Sequence, residues 1–349
     1  MTVKNIPVVY RKIFQSDNTT GFLYIKYFIR GSIVPELQIF FLFSMAEIKR
    51  EDEMKRIIVA ALLFCCWGAS VAFPQDELRK ELETVIRDKK ARVGVAVIYD
   101  GKDTLTLNNE YRYPMMSVFK FHQALSVLND LDSRGLPLDT EIFVKKSDLH
   151  PNTYSPLRDS VPQSNFNMTV AELLKYSITL SDNNACDILF KHFGGTDRTE
   201  KYMKGLGIEK IVIQSDENEM HTSVDAERAN WTTPLEAAKV MDIFLRNKLF
   251  PISLSDFLEN LLICTSTGAD KIKGGLPSGV IMGHKTGSSS RTARGIKIAD
   301  NDLAFVQLPD GKRYTIAVFV MDADEDDKTI AGIISQISRH VYDFYTRAK

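Results

Sequence analysis

Cysteine is scarce in this chain, with four among its 349 residues. Cys65 and Cys66 lie in an apolar run, which leaves Cys186 and Cys264 for the folded part. Two cysteines do not make a disulfide framework, so we expect two buried free thiols, although the sequence leaves open whether they pair. No C-x-x-C or H-E-x-x-H motif occurs, and the six histidines show no zinc spacing. We therefore predict neither a metal nor a cofactor.

An excess of one charge is also absent, since 44 Lys and Arg residues stand against 45 Asp and Glu residues. A nucleic-acid-binding surface or an acidic tail would show as an imbalance, so neither is indicated. The chain has no internal repeat and no low-complexity segment. Its hydrophobic content of 44% is enough for one large core or two sub-domains. These properties are typical of a globular protein that acts on a small molecule.

The segment 54–72 has the pattern of a secretory signal peptide. The basic start Met54-Lys55-Arg56 precedes an apolar run at 57–67, and the small residues that follow end in Ser70-Val71-Ala72. This order predicts cleavage after Ala72 and a periplasmic protein. The apolar run is too short for a comfortable membrane span, so we expect no stable membrane association after cleavage.

Residues 1–53 do not fit a chain that begins with a signal peptide. They include an aromatic-rich stretch, 22–43, that charged residues interrupt. We expect that translation begins at Met54 or Met45 and that residues 1–53 are an over-extended start without structural importance. The alternative is a membrane-associated segment. A lipoprotein site at Cys65 is the weaker interpretation of the apolar run.

Hydrophobic periodicity places strands at both ends of the mature chain and helices in its middle. Helices are predicted at 76–90, 117–131, 169–177, 184–193, 234–247, 254–264 and 329–345. Strands are predicted at 93–99, 103–107, 281–286, 303–308 and 314–321. We therefore expect an α+β fold with an antiparallel sheet flanked by helices (about 76–116 and 281–349) and an all-helical lobe (about 117–280).

Three short motifs carry the chemistry: Ser117-Val118-Phe119-Lys120, Ser181-Asp182-Asn183 and Lys285-Thr286-Gly287. In the first, the lysine follows the serine by one helical turn, so the two side chains share a face of the helix. Each motif alone is a common helix start or polar strand end. The three in this order are typical of class A β-lactamases and penicillin-binding proteins.

The residue types fit an acyl-transfer reaction. A serine hydroxyl needs an adjacent base to act as a nucleophile, and Lys120 is in place to serve Ser117. Ser181 can relay a proton, and Asn183 can both donate to and accept from a substrate amide. Lys285 can hold a substrate carboxylate or a developing oxyanion.

The segment from about Phe73 to Lys349 resembles a class A serine β-lactamase in these motifs. Tyr154-Ser155-Pro156 is similar to the segment that carries the gatekeeper tyrosine of that family, and Pro234 marks the end of its glutamate loop. Counted back from Pro234, Glu217 takes the place of the glutamate that holds the deacylating water, with Glu219 as the fallback.

The loop departs from the usual family pattern at several positions. His221 stands where the family has asparagine, Ser215 and Asn230 replace a loop-closing Arg–Asp pair, and Asp187 replaces an asparagine. These departures resemble a divergent branch of the family known for cephalosporin hydrolysis. Arg294 is where an arginine for the substrate carboxylate would help, with Arg291 as its rival.

The resemblance implies hydrolysis of penicillins and cephalosporins by a monomeric enzyme that confers antibiotic resistance. Ser117 attacks the lactam carbonyl, and the N–H groups of Ser117 and Ser288 form the oxyanion hole. Ser181 protonates the lactam nitrogen, and Glu217 activates water to release the product. The resemblance also assigns substrate contacts to Asn183, Lys285, Thr286, Gly287, Ser288, Tyr154 and Arg294.

Two other functions remain as alternatives at this stage. A D-Ala-D-Ala carboxypeptidase or other penicillin-binding protein shares the first and third motifs but lacks an efficient deacylating glutamate. A penicillin sensor acylates without turnover and is normally fused to transmembrane helices. Glu217 and the absence of a convincing membrane anchor argue against both.

Overall fold

The computed structural model describes residues 9–17, 22–30, 37–44, 74–161 and 164–347. The segment predicted as a signal peptide, with its cleavage site after Ala72, lies outside these residues. In the N-terminal part, β1 (Val9–Asp17), β2 (Phe22–Arg30) and β3 (Leu37–Ser44) form an antiparallel sheet of three strands.

The rest of the chain alternates between helices and strands. Its helices are α1 (Pro74–Ile86), α2 (Phe119–Arg134), α3 (Pro156–Ser160), α4 (Val170–Thr179), α5 (Asn183–His192), α6 (Gly195–Gly205), α7 (Glu217–Met220), α8 (Val224–Ala229), α9 (Pro234–Arg246), α10 (Ile252–Ile263), α11 (Ile272–Gly275) and α12 (Asp327–Arg347). Its strands are β4 (Arg92–Tyr99), β5 (Asp103–Leu107), β6 (Tyr113–Pro114), β7 (Glu141–Val144), β8 (Phe166–Thr169), β9 (Ile211–Val212), β10 (Trp231–Thr232), β11 (Met282–Ser288), β12 (Lys297–Gln307) and β13 (Arg313–Ala323).

The central sheet joins the two ends of this part of the chain. Its five strands run in the order β11-β12-β13-β4-β5, and all neighbours pair antiparallel. Successive side chains of β4 point to opposite faces of the sheet. Val95 and Val97 belong to the buried cluster with Leu82 of α1 and Ile334 of α12, whereas Ala96 belongs to the cluster that contains the middle helices. The pairing of terminal strands predicted from the sequence is therefore confirmed.

The middle of the chain is mostly helical, as predicted, but it also contains two small sheets. One has the order β6-β10-β9 and the other pairs β7 with β8. The N-terminus of α4 has the predicted capping box, in which Thr169 accepts the Glu172 N–H and Glu172 accepts the Thr169 N–H. Helix α5 ends at His192, shortly before Gly194-Gly195, and Gly195 begins α6.

Two further expectations differ from the structure. Strand β12 begins at Lys297, six residues before the predicted start at 303, because the polar residues 300–302 are buried in it. Among the residues that the structure describes, Cys186 and Cys264 are both free, but only Cys186 is buried and Cys264 is exposed. None of the helices in the described part of the chain is long and apolar enough to cross a membrane.

Candidate active site

The nucleophile candidate Ser117 lies in a strained turn at the start of a buried helix. Residues Met116–Val118 form a 3₁₀ turn that leads directly into α2, and Met116 has a φ of 47°. Such a left-handed conformation is unfavourable for a non-glycine residue and is common at functional sites. The strand residue Gly287 lies against this turn: a Cβ at Gly287 would be 2.5 Å from the Met115 carbonyl oxygen and 3.0 Å from the Ser117 nitrogen. Glycine is therefore required for β11 to approach the nucleophile.

Lys120 connects the first and second motifs. Its Nζ, fully buried, donates to Ser117 Oγ at 3.1 Å, to the Ser181 carbonyl oxygen at 2.7 Å and to Asn183 Oδ1 at 2.6 Å. These contacts hold the amine beside the hydroxyl, as the helical spacing of the motif predicts.

Glu217 contacts the same hydroxyl. Its Oε1 accepts from Ser117 Oγ at 3.1 Å and lies 3.0 Å from Lys120 Nζ, and its side chain is 2% exposed. Glu219, the fallback from the sequence, is exposed and forms a capping box with Asp216 at the start of α7. The structure thus brings Glu217, and not Glu219, to Ser117.

Asp187 on α5 fixes the segment that carries Glu217. One oxygen of its carboxyl accepts the Glu217 N–H at 2.8 Å, and the other accepts the Asn218 N–H at 3.0 Å. Burial, together with the negative charges of Asp216 and Glu217, raises the pKa of Asp187 to about 8. Near neutral pH this carboxyl therefore holds a proton that an exposed aspartate has lost.

A neutral amide closes the glutamate loop where the family normally has an ion pair. Asn230 is fully buried, and its Oδ1 accepts the N–H groups of Gln214 (2.9 Å) and Ser215 (3.0 Å). Its Nδ2 donates to the Ser215 carbonyl oxygen at 2.7 Å. Within the loop, His221 Nε2 lies 3.0 Å from Asn183 Nδ2 and 3.8 Å from Glu217 Oε2.

Ser181 and Lys285 meet at the far side of the nucleophile. Ser181 has a φ of 58°, and its hydroxyl accepts from Lys285 Nζ at 2.8 Å. The same amine donates to the Thr286 carbonyl oxygen at 2.8 Å. Burial, reinforced by the positive charge of Lys120, holds the pKa of Lys285 well below its ordinary value.

These side chains surround one cavity of about 320 Å³. Most of the predicted site residues line it directly: Ser117, Tyr154, Ser181, Asn183, Glu217, His221, Thr286, Gly287 and Ser288. Tyr154 stands at the open side, where its side chain is 58% exposed. Four lining residues were not predicted from the sequence: Met116, Thr267, Gly268 and Lys271. Lys271 belongs to no motif, and no signal in the sequence distinguishes it from other lysines.

Arg294, which the sequence analysis assigned to the substrate carboxylate, lies outside the lining of the cavity. It is exposed in a tight turn between β11 and β12. Its rival Arg291 pairs with Asp327 at 2.7 Å and donates to the Gly295 carbonyl oxygen. Lys271, by contrast, lines the cavity.

Comparisons with known proteins agree with this geometry. The sequence profile of the beta-lactamase enzyme family matches residues 77–345. The chain belongs to the β-lactamase enzyme family. A β-lactamase from Bacteroides uniformis is 45% identical over 83% of this chain and 99% of its own length. The extended-spectrum β-lactamase PER-1 of Pseudomonas aeruginosa is 34% identical over 83% of this chain and 95% of its own length.

Solved structures identify the class within that family. A class A β-lactamase from Bacteroides cellulosilyticus has 47% identity and a TM-score of 0.76, covering 78% of this chain and 99% of that one. The TLA-1 extended-spectrum β-lactamase has 41% identity and a TM-score of 0.77, with the same coverage. This β-lactamase is therefore a class A serine enzyme with the predicted α+β fold, and it hydrolyses β-lactam antibiotics and confers resistance to them.

Proposed function

We propose that this β-lactamase uses Ser117 as its nucleophile and Glu217 as the base of deacylation. The observation that carries the proposal is the position of Ser117 Oγ, which is 3.1 Å from Lys120 Nζ and 3.1 Å from Glu217 Oε1. A serine hydroxyl becomes nucleophilic when a base within hydrogen-bond distance takes its proton. Here the buried Glu217 carboxylate accepts from the hydroxyl, and the buried Lys120 Nζ donates to it.

In acylation, Ser117 Oγ attacks the lactam carbonyl while its proton passes to Glu217 Oε1, which accepts from that hydroxyl. The carbonyl oxygen becomes an oxyanion, which the N–H groups of Ser117 and Ser288 stabilise. The Ser289 N–H donates to the Ala299 carbonyl oxygen of β12, so by strand alternation the Ser288 N–H points away from β12. Since β11 is the edge strand of the sheet, that N–H is free to face the cavity.

Collapse of the tetrahedral intermediate breaks the lactam C–N bond, and the nitrogen takes a proton from Ser181. Lys285, which donates to Ser181 Oγ, stabilises the oxygen while it is without that proton. The proton that Glu217 took from Ser117 is then passed through Lys120 to Ser181, which leaves Glu217 as a carboxylate again. In deacylation Glu217 removes a proton from water, which attacks the acyl carbonyl, and that proton returns to Ser117 as the ester bond breaks. Asp187 and Asn230 keep Glu217 in place by holding the backbone of its loop.

Substrate binding involves other residues of the cavity lining. We assign the substrate carboxylate to Thr286, Ser288 and Lys271, which line the cavity, in place of the Arg294 contact expected from the sequence. Asn183 holds the amide group of the substrate side chain. We also propose that the substrates include penicillins and cephalosporins; two relatives are named extended-spectrum β-lactamases. We also propose that the mature protein is a periplasmic monomer.

Hydrolysis of the chromogenic cephalosporin nitrocefin tests these assignments. Ser117→Ala should abolish turnover, and Glu217→Gln should lower it by about 10²–10⁴ while mass spectrometry shows a trapped acyl-enzyme. Glu219→Gln is the matched control, because this exposed carboxylate is two residues away and should be dispensable. Turnover of Glu217→Gln at the wild-type rate would refute the base assignment. A single stoichiometric burst from the wild-type protein would instead indicate a penicillin-binding protein or sensor.

A further inference from the structure

Two buried carboxylates lie behind the substrate-binding strand and have no part in the steps above. Asp300 and Asp302 of β12 are 4% and 0% exposed. They are two residues apart in a strand, so they point to the same face of the sheet. Between them, Asn301 points to the other face, where its Nδ2 donates to the carbonyl oxygens of Pro114 (2.7 Å) and Met115 (3.1 Å) beside the nucleophile turn.

Both carboxylates hold the short segment that leads into α11. Asp300 Oδ1 lies 2.5 Å from Lys271 Nζ, and Asp302 Oδ2 accepts the Ile272 N–H at 3.1 Å. The other oxygen of Asp302 lies 3.0 Å from Nδ1 of the buried His284, which directly precedes Lys285 in β11. The adjacent residues Lys271 and Ile272 are thereby held by β12, and Asp302 connects this contact to β11.

The segment held in this way supplies one wall of the cavity. Lys271 lines it, and so does Thr267, whose hydroxyl lies 2.6 Å from the Thr286 hydroxyl. The Lys271 side chain is 10% exposed, so little water surrounds its ammonium group. A lysine with so little water keeps its charge and its direction only if a fixed anion compensates it. Asp300 is that anion, and in β12 it is paired in register with Ser288, one of the residues assigned to the substrate carboxylate.

We infer that Asp300 is a positioning residue of the carboxylate subsite and acts through Lys271. Asp302, supported by His284, holds the next residue of the same segment through the Ile272 N–H. The inference rests on the proposed assignment of Lys271 to the substrate carboxylate. Without Asp300, the ammonium group of Lys271 loses its partner and either gives up its proton or turns toward water. In both cases the subsite loses an oriented positive charge, whereas the groups around Ser117 keep their contacts.

The test compares a chromogenic cephalosporin that has a free carboxylate with the methyl ester of the same compound. Asp300→Asn should lower kcat/KM for the acid by about tenfold, the size of one lost charge-assisted contact, with most of the change in KM. The ester should change by less than about twofold, since it carries no charge for Lys271 to recognise. A purely structural role would lower both values equally, so equal losses, or no loss, would overturn the inference.

A double-variant cycle separates the inference from the proposed function. If Asp300 acts through Lys271, adding Asp300→Asn to Lys271→Met should cause no further loss for the acid. The double variant leaves no unpaired charge in the pair, so it is expected to fold even where Asp300→Asn alone does not. Independent, additive losses would overturn the inference alone. If Lys271→Met lowers kcat/KM equally for the acid and the ester, the carboxylate assignment itself is wrong and the inference is overturned with it.

Discussion

The protein contains two buried pairs of a lysine and a carboxylate, and each pair supplies one residue, Glu217 or Lys271, to the cavity lining. Lys120 and Glu217 lie 3.0 Å apart with side chains 0% and 2% exposed, and Lys271 and Asp300 lie 2.5 Å apart with side chains 10% and 5% exposed. Their chemical groups are the same, but their neighbours differ. The first pair surrounds the hydroxyl of Ser117, whereas the second joins a loop segment to a strand.

This difference in neighbours gives the pairs different work. A pair that shares a hydroxyl can move a proton, because the carboxylate accepts from the hydroxyl and the amine donates to it. A pair at the cavity wall contributes a fixed charge and a fixed direction. Lys285 donates to Ser181, and the charges of residues from both pairs, Lys120 and Lys271, act on its amine.

Removing the amine of the first pair should have the largest effect. We expect Lys120→Met to lower kcat/KM by about 10³-fold or more, because the proton path from Ser117 loses one member. The loss should be the same for a cephalosporin and for its methyl ester, since Lys120 is not assigned to the substrate carboxylate. Steady-state kinetics with both compounds measures it. A loss confined to the acid would show that the two pairs do not divide the work as described.

A smaller, pH-dependent effect on stability is expected for Asp187, the carboxyl that holds the backbone of Glu217. The pKa of Asp187 is about 8 in the folded protein, against an ordinary value of 3.8. Between these values the folded state binds a proton that the unfolded state lacks, so stability falls as pH rises from about 4 to about 8. Asp187→Asn should remove this contribution, which amounts to at most about 1.4 kcal/mol per pH unit.

Urea unfolding of both proteins at pH 5, 6.5 and 8 measures the Asp187 contribution. The free energy of unfolding of the variant should rise relative to that of the wild type with each step to higher pH, because the other titrating groups are common to both. A constant difference across the three values would mean that Asp187 is ionised throughout and that the neighbouring charges of Asp216 and Glu217 are better screened than the geometry indicates.

The smallest effect should come from Arg294, the arginine that the sequence analysis assigned to the substrate carboxylate. Arg294→Ala should leave kcat/KM within about twofold of the wild-type value for both acid and ester, as expected for an exposed side chain away from the cavity. Lys271→Met, measured beside it, should affect the acid selectively. A selective loss for the acid in Arg294→Ala would restore the sequence-based assignment.

Local patterns in the sequence were sufficient for the first pair. The spacing of Ser117 and Lys120 places both on one helix face, and a single segment before Pro234 holds the glutamate. The Thr169 capping box and the alternating strands at both ends of the chain were predicted for the same reason, because short-range hydrogen bonding and side-chain periodicity determine them.

Only the tertiary structure decided the second pair and the loop closure. Asp300, Asn301 and Asp302 look like a polar loop in the sequence, so the predicted strand began too late. In the structure each of them is buried, and each has a partner from a distant part of the chain: Lys271, Met115 and His284.

The sequence by itself determined the reaction class, the α+β fold and the choice of Ser117, Lys120, Ser181 and Lys285 as site candidates, because motif spacing and hydrophobic period are local properties. It did not determine which cation faces the substrate carboxylate or how the glutamate loop is closed. Those depend on the distance between side chains that long-range strand pairing and burial bring together. Burial makes a polar group costly unless it has a partner, and the identity of that partner is a property of the folded chain.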